Sequence, residues 1–265
     1  MKDDFLIYRI GKIHIRSRRL SNGEIVLLRT SCPLKVYELF TVNFDIRKEW
    51  AYNENNYASG DILDYRLVEN NIGIDGLNLQ IEKLWDPVEE YGEEAEEYCP
   101  GYIKEGLRHS YVFEDYSGFE FYGPDTDPIS DAVEAMEAGY DKKAYQILTR
   151  LLEEYPECID ALAHLGSMSF ENGHQLDHAR HCYKAAVSLA EKKFPKGFDG
   201  VILWNRVKNR PYLRALNGYC MVNWRLKEFS EAYDTAKKIL RLNPPDNQGI
   251  RFCIDKIKNR EDWEE

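Results

Sequence analysis

The first 127 residues alternate apolar and polar positions at the short period that is typical of β-strands. The runs FLIYRI, KIHIRS, EIVLLRT, VYELFTVNFDI and YVFEDYSGFEFYG are rich in β-branched and aromatic residues, which favour strands. Ser21-Asn22-Gly23 lies between two of these runs and predicts a hairpin turn. Two polar, glycine-bearing stretches, NENNYASGD and NNIGIDG, are interpreted as loops. The pattern predicts a strand-rich domain of unknown function over residues 1–127.

The apolar spacing changes at GPDTDPISDA, and from there the chain follows a helical period. Asp127 can accept a hydrogen bond from a backbone N–H at a helix start, and Pro128 suits the first helical position, where no N–H is needed. A helix that starts at NRPYLRALNGYC breaks near Lys227 and restarts, which predicts two helices joined by a three-residue turn. We therefore predict an α+β fold in two parts, with a helical domain over residues 128–265.

Three segments of the helical part share one spacing, an alanine followed four positions later by another apolar or aromatic residue. A proline follows this pair in the first and third segments. The segments are Ala144-x-x-x-Leu148 with Pro156, Leu162-x-x-Leu165-Gly166 with Ala179-x-x-x-Tyr183-x-x-Ala186, and Leu216-x-x-Tyr219-Cys220 with Ala232-x-x-x-Ala236 and Pro244. This pattern resembles the tetratricopeptide repeat, over about 130 residues, and the resemblance implies a solenoid of stacked helix pairs. Small residues at Gly166 and Ala179 are expected to let the helices approach closely.

The sequence departs from the repeat pattern in two places. Ala179 and Ala232 are 53 positions apart where 34 are expected, so roughly 19 residues are inserted near 192–210. The last segment, DNQGIRFCIDKIKNRED, carries isoleucines on one face and predicts a helix that caps the solenoid. A helical bundle without repeats is the alternative interpretation.

The resemblance also implies a binding face, because the first helices of such repeats line a concave groove. The residues at the groove positions are Phe170 in the second repeat, Arg214, Asn217, Met221, Trp224 and Arg225 in the third, and Arg251 in the cap. An aromatic ring between guanidinium groups suits an extended peptide that carries a carboxylate. Some family members hold a terminal carboxylate with a Lys-Asn-Asn-Lys-Arg set, which this chain lacks, so that ligand is not expected. Alternatively, these residues pack on the insertion or on the N-terminal domain.

The composition fits a globular protein that stays in the cytoplasm. Hydrophobic residues make up 43% and charged residues 31%, and no stretch approaches the roughly 18 apolar residues of a membrane span. We expect no signal peptide, since the start lacks a long apolar stretch. Six cysteines are scattered without a C-x-x-C pair, which predicts reduced, buried thiols.

The net charge of −11 conceals an asymmetry along the chain. Residues 192–260 contain 16 Lys/Arg against 6 Asp/Glu, whereas residues 89–97 are largely glutamate. Such an acidic run is either a solvated loop or a segment that docks on the basic part of the same chain. The basic part itself predicts a polar partner.

Motifs for catalysis or cofactors are sparse, and we expect no cofactor. The chain has neither a phosphate-binding G-x-x-x-x-G-K-[ST] loop nor a G-x-G-x-x-G turn. His174, His178 and His181 share a helical face and are weak metal-ligand candidates; the alternative is that they are solvated histidines on the convex side. The acidic pair in GPDTDP could bind Mg²⁺, although capping of the helix is the favoured interpretation.

Three classes of function remain open from the sequence. The first is an interaction protein that binds a protein or peptide, possibly an acidic one, through the concave face. The second is a nucleic-acid-binding protein that uses the basic part with Trp204, Tyr212 and Trp224, which the overall acidity disfavours. The third is an enzyme in residues 1–127, where His14, His109, Asp61 and Asp64 are available without a spacing that selects them. The sequence leaves the oligomeric state open.

Overall fold

The fold combines a strand-rich N-terminal part with a helical C-terminal part, as predicted. A computed structural model describes residues 1–30, 37–66, 74–95, 106–114, 127–171, 173 and 175–264. The chain divides into two compact units, each built from two stretches of sequence: unit 1 comprises residues 1–75 and 118–161, and unit 2 comprises residues 76–117 and 162–265. The predicted boundary at residue 127 is therefore not where the chain divides.

Unit 1 contains a closed barrel of five strands. They are β1 (Lys2–Ile10), β2 (Ile15–Arg19), β3 (Ile25–Thr30), β4 (Thr41–Tyr52) and β5 (Asn55–Arg66), in the order β1-β2-β3-β5-β4. The pairings are antiparallel except that β3 and β5 run parallel. The predicted turn at residues 21–23 joins β2 to β3, with Gly23 at a φ of 78°.

One predicted loop is a strand. The stretch NENNYASGD supplies the turn after β4 and the first half of β5. Its polar residues gave no strand pattern, but β5 pairs with β3 on one edge and with β4 on the other, which satisfies its backbone groups. Gly60 is needed there because a Cβ atom at this position would lie 2.0 Å from the carbonyl oxygen of Asp45.

The barrel carries two helices of unit 1, α2 (Pro128–Glu137) and α3 (Asp141–Glu154). Helix α2 begins as predicted, with the Asp127 carboxylate accepting from the backbone N–H of Ile129 at 3.0 Å. A bidentate salt bridge joins helix α3 to the barrel. Arg16 on β2 donates to both carboxylate oxygens of Glu153 at 2.5 Å. The first proposed repeat thus packs against strands.

Unit 2 contains most of the helices. They are α4 (Ile159–Glu171), whose first residues fall within unit 1, then α5 (Leu176–Glu191), α6 (Arg210–Arg225), α7 (Phe229–Leu242) and α8 (Ile254–Lys258). Residues 226–228 form the predicted three-residue turn, with Lys227 at a φ of 65°. The predicted capping helix is shorter than expected. A 3-10 turn (Ile250–Phe252) precedes α8, since Asp246 and Gly249 take left-handed backbone conformations.

The predicted insertion joins the helices to a strand pair. Strands β6 (Leu79–Trp85) and β7 (Arg108–Phe113) are antiparallel, and between them lie the short helix α1 (Pro87–Tyr91) and a 3-10 turn (Gly92–Glu94). Val201 in the insertion exchanges backbone hydrogen bonds with β7, from the Tyr111 N–H at 2.9 Å and to the His109 carbonyl at 2.8 Å. A small core of Trp85, Val201 and Leu203 closes this contact.

Two buried polar side chains complete the junction. Arg108 donates to the carbonyl oxygens of Asp199, Gly200 and Arg241 at 2.9 to 3.1 Å. Asn209, in a 3-10 turn (Val207–Asn209), does not cap helix α6 with its side chain. Its amide instead donates to the carbonyls of Tyr111 and Leu203 and accepts from the Phe113 N–H.

Cys158, Cys182 and Cys220 are buried and Cys253 is half-buried, and all four have reduced thiols, as the scattered spacing predicted. Cys32 and Cys99 lie outside the described residues. Among the described helices, none combines the length and apolar character that a membrane span needs.

Candidate functional site

The predicted binding face lies on α4 and α6, which contact each other directly. Arg225 on α6 donates to the carbonyl oxygen of Phe170 at 3.0 Å, and its guanidinium lies 5.2 Å from the centre of the Phe170 ring. Farther along the same helices, Arg214 Nη1 lies 3.3 Å from His164 Nε2. The structure therefore brings Phe170 and Arg225 together, as the repeat positions implied.

The spacing of these two helices is set by one aromatic ring and two glycines. The ring of Tyr183 on α5 packs against both glycines. A Cβ atom added to Gly166 would lie 2.8 Å from Cε1 of Tyr183, and a Cβ atom added to Gly218 would lie 2.2 Å from the same atom. Side chains at these positions would force α4 and α6 apart. Gly166 was predicted for this role and Gly218 was not, because it lies outside the repeat positions that the spacing selects.

A segment of the same chain covers the aromatic end of this face. The segment, residues 261–264 with the sequence Glu-Asp-Trp-Glu, follows α8 and is called the acidic segment below. Its Trp263 ring lies 5.0 Å from Trp224 at 77° and 5.7 Å from Phe170 at 89°. Both are edge-to-face contacts of the favourable kind. Trp224 is consequently only 6% exposed, so the expectation that it faces solvent is wrong.

The backbone and the charges of the acidic segment are also held. The indole N–H of Trp224 donates to the carbonyl oxygen of Glu261 at 2.8 Å. Asp262 pairs with Lys227 at 2.7 Å, and Glu264 with Lys256 at 3.1 Å. The segment is thus recognised through an aromatic anchor, a main-chain carbonyl and two carboxylates.

The free energy of this docking is small by order of magnitude. Two aromatic pairs, one hydrogen bond and two exposed ion pairs together contribute about 3–6 kcal/mol. Ordering the backbone of four residues costs about 4–8 kcal/mol. Because the two sums nearly cancel, we expect the acidic segment to exchange between docked and released states.

The middle of the predicted face is more open. Asn217 and Met221 on α6 are half-buried and lie between Arg214 and Trp224 along the helix. The side-chain oxygen of Asn217 is buried, and within the described chain it has no hydrogen-bond donor. A buried acceptor without a donor is costly to stability, so this atom is a local weakness in the packing of α6.

One predicted groove residue serves the fold instead. Arg251 donates from Nε to the Asp246 carboxylate at 3.0 Å and from Nη2 to the Pro245 carbonyl at 2.9 Å. The same carboxylate accepts from the backbone N–H groups of Ile250 and Arg251. The guanidinium therefore braces the turn between α7 and α8. Repeat position alone did not reveal this role, since the turn replaces part of the predicted helix.

The histidine candidates do not share an exposed face. His181 is 6% exposed and His178 is half-buried, with its Nδ1 atom 2.8 Å from Ser169 Oγ, while His174 lies outside the described residues. The expectation of solvated histidines on the convex side is wrong for His181. The buried part of helix α5 covers a wide arc of its surface, which includes residues 181, 182, 185, 186, 189 and 190. The helix therefore has no fully solvated side there.

The acidic run is mostly solvent-exposed where it is described. Glu89, Glu93 and Glu94 are exposed, while Glu90 accepts from the Asn205 amide at 3.0 Å and lies 3.9 Å from Lys83 Nζ. Residues 96 and 97 fall outside the described part. Glu90 therefore contacts the insertion through one hydrogen bond, and the other described glutamates of the run are solvated.

Three of the residues named for the alternative functions are engaged in contacts within the fold. Tyr212 is fully buried and donates to Glu191 at 2.8 Å, so it cannot stack on a base. His14 makes an edge-to-face contact with Tyr57 at 5.3 Å, and Asp61 pairs with Arg47. His109 and Asp64 are exposed, so the enzyme hypothesis stays open.

The acidic segment itself was missed by sequence reasoning. Its signal was present, because EDWEE follows a strongly basic stretch and joins four acids to one large aromatic ring. That composition complements the predicted face in charge and in shape.

Two comparisons with known proteins, one with family models and one with curated sequences, found no match. No model of a known protein family matches the chain, and no curated protein matches it significantly. The assignment of a function therefore depends on the geometry described above.

Proposed function

We propose that this protein is an interaction protein that binds a peptide or protein segment across the face formed by α4 and α6. One observation carries the proposal. This face already holds a segment of chain without regular secondary structure, through the aromatic, cationic and hydrogen-bonding side chains that line it. A surface that recognises a segment of its own chain has the chemistry to recognise another.

The kind of scaffold supports the same proposal. Stacked helix pairs present side chains from successive helices along one face, which suits a ligand in extended conformation. We keep the tetratricopeptide repeat as the proposed architecture of residues 128–265. We also propose a cytoplasmic location, supported by the reduced thiols of the described cysteines.

The proposal is tested with a displayed library of random twelve-residue peptides, panned against the full chain. We expect peptides that bind the wild-type chain and lose binding to the Arg214→Glu variant, since reversing this charge changes the open part of the face. Lys237→Glu is the matched control, because it makes the same charge change on α7 at an exposed side chain. Circular dichroism verifies that both variants are folded.

If the selected peptides bind all three proteins equally, the binding site lies elsewhere and the proposal is wrong. The proposal also fails if the library yields no binder, either to the wild type or to a variant with a released acidic segment.

A further inference from the structure

The acidic segment has the features of a ligand rather than of a structural element. It lies after the last described helix and has no regular secondary structure. Its side chains and the Glu261 carbonyl contact α4, α6 and the adjacent turn, and the Glu261 N–H and the Glu264 carboxylate bond to Lys256 of α8. We infer that residues 261–264 act as a built-in competitor on this face, and that the partner is an acidic segment carrying an aromatic anchor. This inference rests on the proposed function.

The anchor is defined by a three-ring cluster. Trp263 contacts Trp224 and Phe170 edge to face, and Arg225 lies over the ring of Phe170 and donates to its carbonyl. The cluster therefore holds one flat aromatic side chain between two rings, with a guanidinium fixing one of them. A partner without a large aromatic residue would leave this site unfilled.

The charge of the partner follows from the ion pairs of the segment. Lys227 and Lys256 flank the anchor and bind Asp262 and Glu264. Acidic residues directly before and after the aromatic residue reproduce both pairs. The surrounding stretch, residues 192–260, carries ten more cationic than acidic side chains, so it repels a basic segment.

The backbone contact is independent of sequence. The Trp224 indole N–H holds the carbonyl two residues before the anchor, which any extended peptide can supply. A longer partner would continue past Met221 toward Asn217, and both of these residues are half-buried.

The segment can leave without disturbing a helix. The chain turns at Arg260, where φ is 57°, just after α8 ends. Both ion pairs are exposed, with side-chain exposures of 64% and 69% for Lys227 and Asp262 and 47% and 81% for Lys256 and Glu264. Water and salt therefore compete readily with these contacts. Release exposes the rings of Trp224 and Phe170 to a partner.

The experiment uses full-length chains and a fluorescein-labelled synthetic peptide, Lys-Asn-Arg-Glu-Asp-Trp-Glu-Glu, the sequence of residues 258–265. We compare the wild type with Trp263→Ala, which removes the anchor of the competitor. We expect the apparent Kd for the peptide to fall, since it is inversely proportional to the fraction of chains with a free face. The fall is about twofold for a segment that is docked in half of the chains, and about tenfold for one that is docked in nine chains of ten. The same peptide with alanine in place of tryptophan should not bind.

A second variant guards against misfolding of the first. Asp262→Lys loosens the segment by charge repulsion from Lys227 while leaving the face itself intact, and it should also tighten peptide binding. The indole N–H resonance of Trp224 is a direct probe in both variants, because it loses its bond to Glu261. We expect that signal to shift and to shift back when the peptide is added.

The outcomes separate the two proposals. If the library-selected peptides bind wild type and Trp263→Ala equally, the segment does not compete and this inference is overturned, while the proposed function stands. If no peptide binds either protein, the proposed function fails. If Trp263→Ala converts a dimer to a monomer in solution without changing peptide affinity, the segment belongs on a second copy and the competitor inference is wrong.

Discussion

Gly218→Ala offers a sharp test of the packing that creates the binding face, because two physical effects predict opposite signs. In an isolated helix, alanine is more favourable than glycine by about 1 kcal/mol. In this protein the new methyl group would lie 2.2 Å from Cε1 and from Cζ of Tyr183. That distance is roughly 1.3 Å shorter than an ordinary contact between carbon atoms.

The ring has little room to yield. Tyr183 is 5% exposed and belongs to a cluster with Ala179, Tyr219 and Val222. Burial raises the pKa of its hydroxyl above the usual value, which fits a ring enclosed by other side chains. Overpacking of this kind costs about 1–3 kcal/mol, and a larger amount where the backbone must move. After the gain in helix propensity of about 1 kcal/mol is subtracted, we expect Gly218→Ala to destabilise unit 2 by up to about 2 kcal/mol.

Equilibrium unfolding in urea, followed by tryptophan fluorescence, measures the effect, since four of the five tryptophans lie in unit 2. The control is the same substitution in a Tyr183→Ala background, where the clash is absent and the alanine should be neutral or stabilising. The difference between the two backgrounds gives the coupling between residue 218 and the ring.

A stabilised Gly218→Ala protein in the wild-type background would refute this reasoning. It would mean that α6 is not held against Tyr183 at the described distance, and the spacing of the binding face would then need another explanation.

Three further predictions concern single side chains. Tyr8→Phe should leave stability at pH 7 unchanged or raise it by about 1 kcal/mol, because the Tyr8 hydroxyl is buried without a hydrogen-bond partner in the described chain. Burial raises the pKa of Tyr8 to about 12. The free energy of unfolding of the wild type should therefore be highest below pH 10 and fall as the pH rises toward 12. Denaturation at several pH values should show a smaller loss in the variant. Asn209→Ala should cost about 3 kcal/mol by urea unfolding, since it leaves two carbonyls and the Phe113 N–H without their partner. Arg16→Ala should cost about 2 kcal/mol with little dependence on salt, because its bond to Glu153 is paired at both oxygens and half-buried; a steep salt dependence would contradict this.

The local signals in the sequence predicted the helices well. Asp127 with Pro128 marks the start of α2, and the turn at residues 226–228 separates α6 from α7 as expected. Caps, prolines and turns act within a few residues, so the sequence alone specifies them. Phe170 and Arg225, two residues of the predicted face, contact each other, while the role of that face in binding stays a prediction.

Features that depend on distant parts of the chain escaped prediction. Strand β5 is stabilised by partners on both edges, which outweigh its polar composition. The pairing of Val201 with β7 joins residues about ninety positions apart, and no local sequence pattern predicts this pairing. The burial of Trp224 likewise depends on Trp263, which periodicity on α6 cannot reveal. Arg251 was misassigned because the Asp246 turn replaced a predicted helix.

The division of the chain into interleaved stretches has a consequence during synthesis. Strands β6 and β7 leave the ribosome roughly ninety residues before the stretch around Val201 and Leu203 that completes their core. Until then the hairpin has an unsatisfied edge and an uncovered indole at Trp85. A gene cut once at residue 127 would separate these partners permanently, so the two resulting halves should aggregate when expressed apart and be recovered in soluble form when expressed together.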